Sequence, residues 1–223
     1  MATNSLDSLV TVSPSIPLRP DSQRAVITGM GIRSCLGNRL EDVAAALKNN
    51  VSGIVCDRKY AELGMKSQVK GRPPEQQEAI DRKVRRFMGE AAVYAYGAAC
   101  SAIAHAGLRP EQLAGQPRYG LLAGSGGGST GSLAEVLEVL QRDGLRKIPP
   151  THVPRTMTST VAAGVSTALG LEGMCYGLVS ACATSLQCIG HAAELIQLGK
   201  QDLILAGGGE EEHWSESIMF DAM

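Results

Sequence analysis

Aromatic side chains are scarce in this sequence. Two Phe, one Trp and five Tyr make up 4% of its 223 residues. A core built from it must rely on aliphatic and small side chains. No excess charge of either sign is present: 21 Lys and Arg face 22 Asp and Glu, for a net charge of −1. That balance argues against a general nucleic-acid binder or a polybasic membrane-surface protein. No long run of large aliphatics occurs either. The most apolar stretch, 91–108, is mostly Ala interrupted by Gly, Ser and His, which is poor material for a membrane span. The cysteines at 35, 56, 100, 175, 182 and 188 include no C-x-x-C pair. Zinc-ribbon spacing and a disulfide scaffold are thereby excluded, and a reduced, cytoplasmic protein is expected. Residues 1–23 show neither the basic start nor the apolar segment of a secretory signal.

Glycine is plentiful, at 26 of 223 residues, against a usual ~7%. Many glycines and few rings suggest tight strand-to-helix turns and close helix-on-sheet packing. Residues 1–23, rich in Ser and Pro, read as a disordered leader; an organelle transit peptide fits less well, because Asp7 and Asp21 are present. From Arg24 onward short apolar runs alternate with helical stretches. Strands are expected at 25–28, 119–123, 175–180 and 203–206. Helices are expected at 40–48, 82–106, 131–142, 159–169 and 183–198. Short apolar runs bounded by glycine suit strands buried on both faces, and the alternation argues for an α/β architecture.

The most informative stretch is Tyr176 to Ser185, where an apolar strand runs into small residues and then a helix. Cys182 falls at that elbow, at or just before the helix N-terminus. There the free N–H groups and the helix dipole favour negative charge on sulfur. The Cys182 N–H is placed to donate to an oxyanion formed when the sulfur attacks a thioester. A thiol nucleophile also needs a basic or cationic partner. His191 is nine residues further along the same helix, more than two turns away and on the opposite face. His105 and His152 lie on other segments, and His213 follows a glycine-rich turn. A buried structural cysteine is the competing reading of Cys182.

Val179-Ser180-Ala181-Cys182-Ala183-Thr184-Ser185 resembles the nucleophile motif of the β-ketoacyl-acyl carrier protein synthases. The likeness extends through 24–31, 81–88, 124–129, 198–202, 206–211 and 220–223, so it covers about 24–223. The synthase I branch fits best, because Gly127 stands where synthase II enzymes usually carry a bulkier aliphatic residue. The resemblance implies the N-terminal half of a thiolase-like fold, a layered αβαβα sandwich of two similar halves. It implies acyl transfer from acyl carrier protein to Cys182, then decarboxylative condensation with malonyl-carrier protein in fatty acid or related chain elongation. No cofactor is implied beyond the phosphopantetheine that carries the substrates. Gly127 and Met157 would contribute to the acyl pocket, with Met157 reaching a neighbouring subunit of a homodimer. Arg82, Lys83, Arg86, Arg146 and Lys147 would dock the acidic carrier protein; solvated surface charge is the alternative for them.

The family's second half supplies two catalytic histidines and a lysine, in His-Gly-Thr and Lys-x-x-x-Gly-His motifs. This sequence has no His-Gly-Thr. Its one Gly-His is Gly190-His191, with Leu186 where the lysine would stand. The chain therefore reads as the first half of a synthase, inactive in full condensation alone or completed by a partner that supplies the second half. Two other readings compete. One is a non-catalytic ketosynthase-like scaffold. The other is a nicotinamide-dependent oxidoreductase, because Gly126-x-Gly128-x-x-Gly131 satisfies the dinucleotide fingerprint between a strand and a helix.

Overall fold

A computed structural model describes residues 24–75 and 79–223; the leader expected at 1–23 lies outside them. In chain order come α1 (Leu40–Lys48), β1 (Ile54–Cys56), α2 (Arg58–Glu62), β2 (Val69–Gly71), α3 (Arg82–Arg85) and α4 (Glu90–His105). Then follow α5 (Pro110–Leu113), β3 (Tyr119–Gly124), α6 (Thr130–Asp143), a 3-10 turn (Leu145–Lys147), α7 (His152–Thr156) and α8 (Thr160–Leu169). The chain continues with β4 (Cys175–Tyr176), α9 (Thr184–Gln197), β5 (Leu203–Gly208) and α10 (Trp214–Asp221).

Strands β4, β3 and β5 form a parallel sheet in that order, with Leu121 opposite Cys175 and Leu205. Successive side chains of a strand face opposite sides, and β3 uses this to build two cores. Leu121 and Ala123 pack with Met88, Ala91, Ala95, Val161 and Val165 of the α4–α8 layer. Leu122 packs with Cys188 and Leu195 of α9. The result is helix layer, sheet, helix layer, as the α/β expectation required. Parallel strands buried on both faces explain why β3 reads as a plain apolar run.

Several sequence expectations change. Residues 25–28 pair with no described strand, and Val26 and Ile27 are exposed; the glycines that follow pass along α4, where a Cβ on Gly29 or Gly31 would come 2.2 and 1.9 Å from the Ala102 and Ala98 carbonyl oxygens. Close approach to a helix backbone, not sheet pairing, explains those two glycines. The helix expected at 82–106 is broken into α3 and α4. The break lets Met88, fully buried, drop under α8, where Gly164 leaves it room. Only Cys175–Tyr176 of the expected 175–180 strand pairs with β3. The β1–β2 hairpin and α10 were not foreseen, because they are short and mostly exposed and carry no clear apolar period.

Candidate active site

Beyond Tyr176 the chain leaves the sheet and turns sharply into α9. Leu178 is anchored against the α9 core. It passes so close to β3 that a Cβ on Gly124 would lie 2.1 Å from the Leu178 carbonyl oxygen. The turn is closed by Ala183 N–H donating to Ser180 O (2.9 Å) and Thr184 N–H donating to Ala181 O (3.1 Å). Ala181 takes φ +45°, a left-handed conformation that non-glycine residues rarely adopt. Cys182 follows immediately, exposed, two residues before the first residue of α9. The elbow expected from sequence is therefore present, and its sulfur faces open space.

Cys188 is buried and Cys175 largely so, and burial pushes both thiols up, away from the reactive anion. The four histidines are all engaged elsewhere. His105 Nδ1 accepts from Met30 N–H (3.1 Å). His152 is buried beside Glu135 (3.1 Å). His191 links Tyr176 Oη (2.8 Å) to Glu194 (3.1 Å), on the far part of α9 as its spacing required. His213 Nδ1 accepts from Ser215 N–H and so caps α10, and burial holds its imidazole below the usual histidine value.

The glycine-rich loop after β3 is occupied by the protein's own carboxylates. Glu210 accepts from Gly126 N–H, from Gly127 N–H (3.2 Å) and from Ser125 Oγ (2.8 Å), and Glu211 accepts from Gly131 N–H (2.7 Å). A dinucleotide fingerprint works by turning such N–H groups toward a pyrophosphate. Here those groups are already taken by two of the protein's own carboxyl side chains, so the oxidoreductase reading loses its physical basis. Gly127 is explained by the same cluster: a Cβ there would fall 2.2 Å from Glu216 Oε1. Neither Gly127, Met157 nor Cys182 lines a cavity of about 950 Å³ on the described surface. That space lies between the Gly31–Cys35 segment, the β1–β2 hairpin and residues 208–221. Met157 is half-exposed at the end of α7. Among the described residues no group of three His, Cys, Asp or Glu is arranged to hold a metal ion, and no helix is long and apolar enough to cross a membrane.

Burial, followed by repulsion from Glu210 and Glu211, raises the Glu216 carboxyl above its ordinary 4.5, and its Oε2 is buried without a partner. The folded chain thus binds this proton more tightly than the unfolded chain. The associated stability is complete below pH 4.5 and is lost as pH rises through the raised value. Glu216→Gln is therefore expected to raise the Tm at pH 7–8 and to flatten its decline above pH 5. Melting curves across that range check it, and identical profiles for both proteins would refute it.

The profile of the family described as "Beta-ketoacyl synthase, N-terminal domain" matches residues 22–223. The chain belongs to the β-ketoacyl synthase family. It is 45% identical over 203 residues to 3-oxoacyl-[acyl-carrier-protein] synthase 1 of Escherichia coli, covering 90% of this chain and 50% of that protein. The counterpart from Haemophilus influenzae is 46% identical with the same coverage, whereas synthase 2 of Vibrio cholerae is 33% identical. A crystal structure of a β-ketoacyl synthase from Burkholderia phymatum superposes with a TM-score of 0.78 at 31% identity, covering 89% of this chain and 50% of that one. A type II polyketide synthase ketosynthase, solved in complex with its acyl-carrier protein, superposes at 0.73 with 24% identity. The fold is thus the N-terminal half of a thiolase-like ketosynthase, and the chain spans about half the length of the synthases it matches.

Arg82, Lys83 and Arg86 are exposed on and beside α3. Arg86 lies over the Phe87 ring (4.6 Å). Arg85 differs: it turns back to Glu90 and the Met88 carbonyl oxygen (2.9 Å). Arg146 and Lys147 are exposed in the 3-10 turn after α6. Sequence reasoning missed Glu210, Glu211 and Glu216 as partners of the glycine loop. The run of acidic residues after Gly207-Gly208-Gly209 was visible, but its target lies 80 or more residues away in sequence.

Proposed function

We propose that this chain supplies the acyl-accepting nucleophile of a β-ketoacyl-acyl carrier protein synthase of the synthase I type. The observation that carries the reading is the exposed Cys182 at the strained turn into α9. The Cys182 sulfur attacks the thioester carbonyl of an acyl group borne on carrier-protein phosphopantetheine. The tetrahedral oxyanion takes the Cys182 N–H. The bond to the phosphopantetheine sulfur then breaks, leaving the acyl group on Cys182 and the carrier thiol free. Condensation follows when malonyl-carrier protein loses CO2 and its carbanion attacks the acyl-enzyme. In the family that step uses the two histidines and the lysine of the second half, so it is assigned to an assembly containing such a half, in a homodimer or with a partner chain. Gly127 and Met157 are the proposed acyl-pocket positions. Arg82, Lys83, Arg86, Arg146 and Lys147 receive the acidic carrier protein, chiefly by speeding encounter. The chain needs no further cofactor and works in the cytoplasm.

Incubating the protein with acyl-loaded carrier protein and mapping the adduct by mass spectrometry tests this reading. The acyl group is expected on the Cys182 peptide and absent in Cys182→Ser. In competitive alkylation Cys182 should label faster than Cys56 or Cys100. Reversing Arg82, Arg86 and Arg146 to Glu should weaken carrier binding, as should added salt, while stability moves by only about 0.5 kcal/mol per site. Carrier binding without any adduct would favour the scaffold reading instead.

A further inference from the structure

We infer that Thr184 is the positioning residue of the nucleophile: its hydroxyl clamps the left-handed turn that presents Cys182. The inference rests on Cys182 being the acyl acceptor, and it assigns a role to a neighbour that never touches substrate.

Thr184 is 3% exposed, so its hydroxyl must find partners inside the protein. It finds both on the turn. Ser180 N–H donates to Thr184 Oγ1 (2.9 Å), and Oγ1 donates to the Ala181 carbonyl oxygen (2.7 Å). A threonine beside a helix start ordinarily caps the N–H groups of its own helix. This one points backward and bridges the two residues that precede Cys182. The Ala181 carbonyl oxygen thereby receives a second hydrogen bond, beside that from Thr184 N–H (3.1 Å). Ala181 at φ +45° is the strained residue of the turn, and such a conformation persists only where its surroundings over-determine it. If Ala181 relaxed to negative φ, the peptide plane leading into Cys182 would rotate. The sulfur and the N–H of Cys182 would then point elsewhere.

The methyl group has its own place. Gly124 has no side chain at the one position where a Cβ would meet Thr184 Cγ2, at 2.9 Å. The end of β3 therefore seats the methyl while the hydroxyl faces the turn. Both halves of the threonine side chain are used, and valine or serine removes one half at a time.

The experiment compares Thr184→Val, which keeps the shape, with Thr184→Ser, which keeps the hydroxyl. Alkylation of Cys182 is read as a ratio to Cys56, an exposed thiol on the distant β1. The second readout is acyl transfer from carrier protein. Thr184→Val is expected to lower the alkylation ratio and the acylation kcat about tenfold or more, with KM for the carrier within about twofold. Thr184→Ser should restore most of both. Adding Ala181→Gly to Thr184→Val should also restore part of the rate, because glycine enters positive φ freely. That double variant further serves if Thr184→Val alone does not fold: a recovered ratio supports the clamp, and an unrecovered one in folded protein overturns it. Unchanged rates in Thr184→Val overturn it, as do equal losses in the Val and Ser variants that follow a common drop in Tm. A parent protein that takes no acyl group, while its alkylation ratio responds as described, would refute the proposed function and leave the clamp standing. A parent that is acylated, with Thr184→Val equally fast, would refute the clamp alone.

Discussion

The 223-residue chain by itself is expected to associate at micromolar concentration instead of remaining a monomer. The reason lies in α9. One side of this helix is core, with Cys188, Ala192 and Leu195 turned to the sheet. The other side is also apolar, yet Leu186 is 70% and Ile189 42% exposed. A helix that is apolar on both faces belongs between two layers, and here only one layer covers it. A second exposed stripe runs along α6 through Leu133, Leu137 and Leu140, spaced as one helical face. Each large aliphatic left wet forgoes about 1.5–3 kcal/mol, and a few such side chains rival the roughly 5–15 kcal/mol net stability of a domain. Contiguous apolar surface of this kind promotes association. Light scattering on a size-exclusion column checks it. Replacing Leu186 by Lys and Ile189 by Glu should shift the protein toward monomer, as should a partner that supplies the second half. A cooperatively unfolding monomer of the unmodified chain would contradict this expectation. Formation of a β-ketoacyl product by such a monomer would contradict the need for a second half.

Leu122→Ala is expected to cost about 2–5 kcal/mol. Leu122 is fully buried in the central strand. Its side chain seats α9 through Cys188 and Leu195, with Tyr176, Leu178 and Ile204 around it. Neighbours on both sides of β3 are fixed by hydrogen bonding, so the strand cannot shift to close the cavity. Urea unfolding in the Leu186→Lys, Ile189→Glu background measures the loss without interference from association. A midpoint unchanged from that background would show that α9 is held elsewhere. Because α9 begins at the elbow, the same truncation should also blur the difference in labelling between Cys182 and Cys56.

The elements that the sequence made legible are those whose signal is local. Tyr119–Gly124, Leu203–Gly208 and the helices at 40–48, 130–143, 160–169 and 184–197 carry uninterrupted apolar periods ended by glycine or a charged turn. The elbow was legible for the same reason: strand, small residues and helix follow within ten positions, and a family resemblance lay on those very residues. What the sequence could not reveal depends on contacts between distant segments. The stretch 25–28 has the composition of a strand, but it pairs with no described strand, and the chain beyond it passes close to α4 at Gly29 and Gly31. Arg85 sits three residues after Arg82 on α3, yet its side chain turns back to Glu90 at the start of α4. The loop at 124–131 matches a phosphate-binding pattern residue for residue; tertiary structure alone decides that its N–H groups hold Glu210 and Glu211. Thr184 looks like an ordinary helix-start residue until its two hydrogen bonds are seen to run backward. Sequence by itself determined the alternation of elements, the place of Cys182 at the elbow and the family, because periodicity and motif are properties of neighbours along the chain. Only tertiary structure decided which donor meets which acceptor, because a buried polar group takes whatever partner packing brings within about 3 Å.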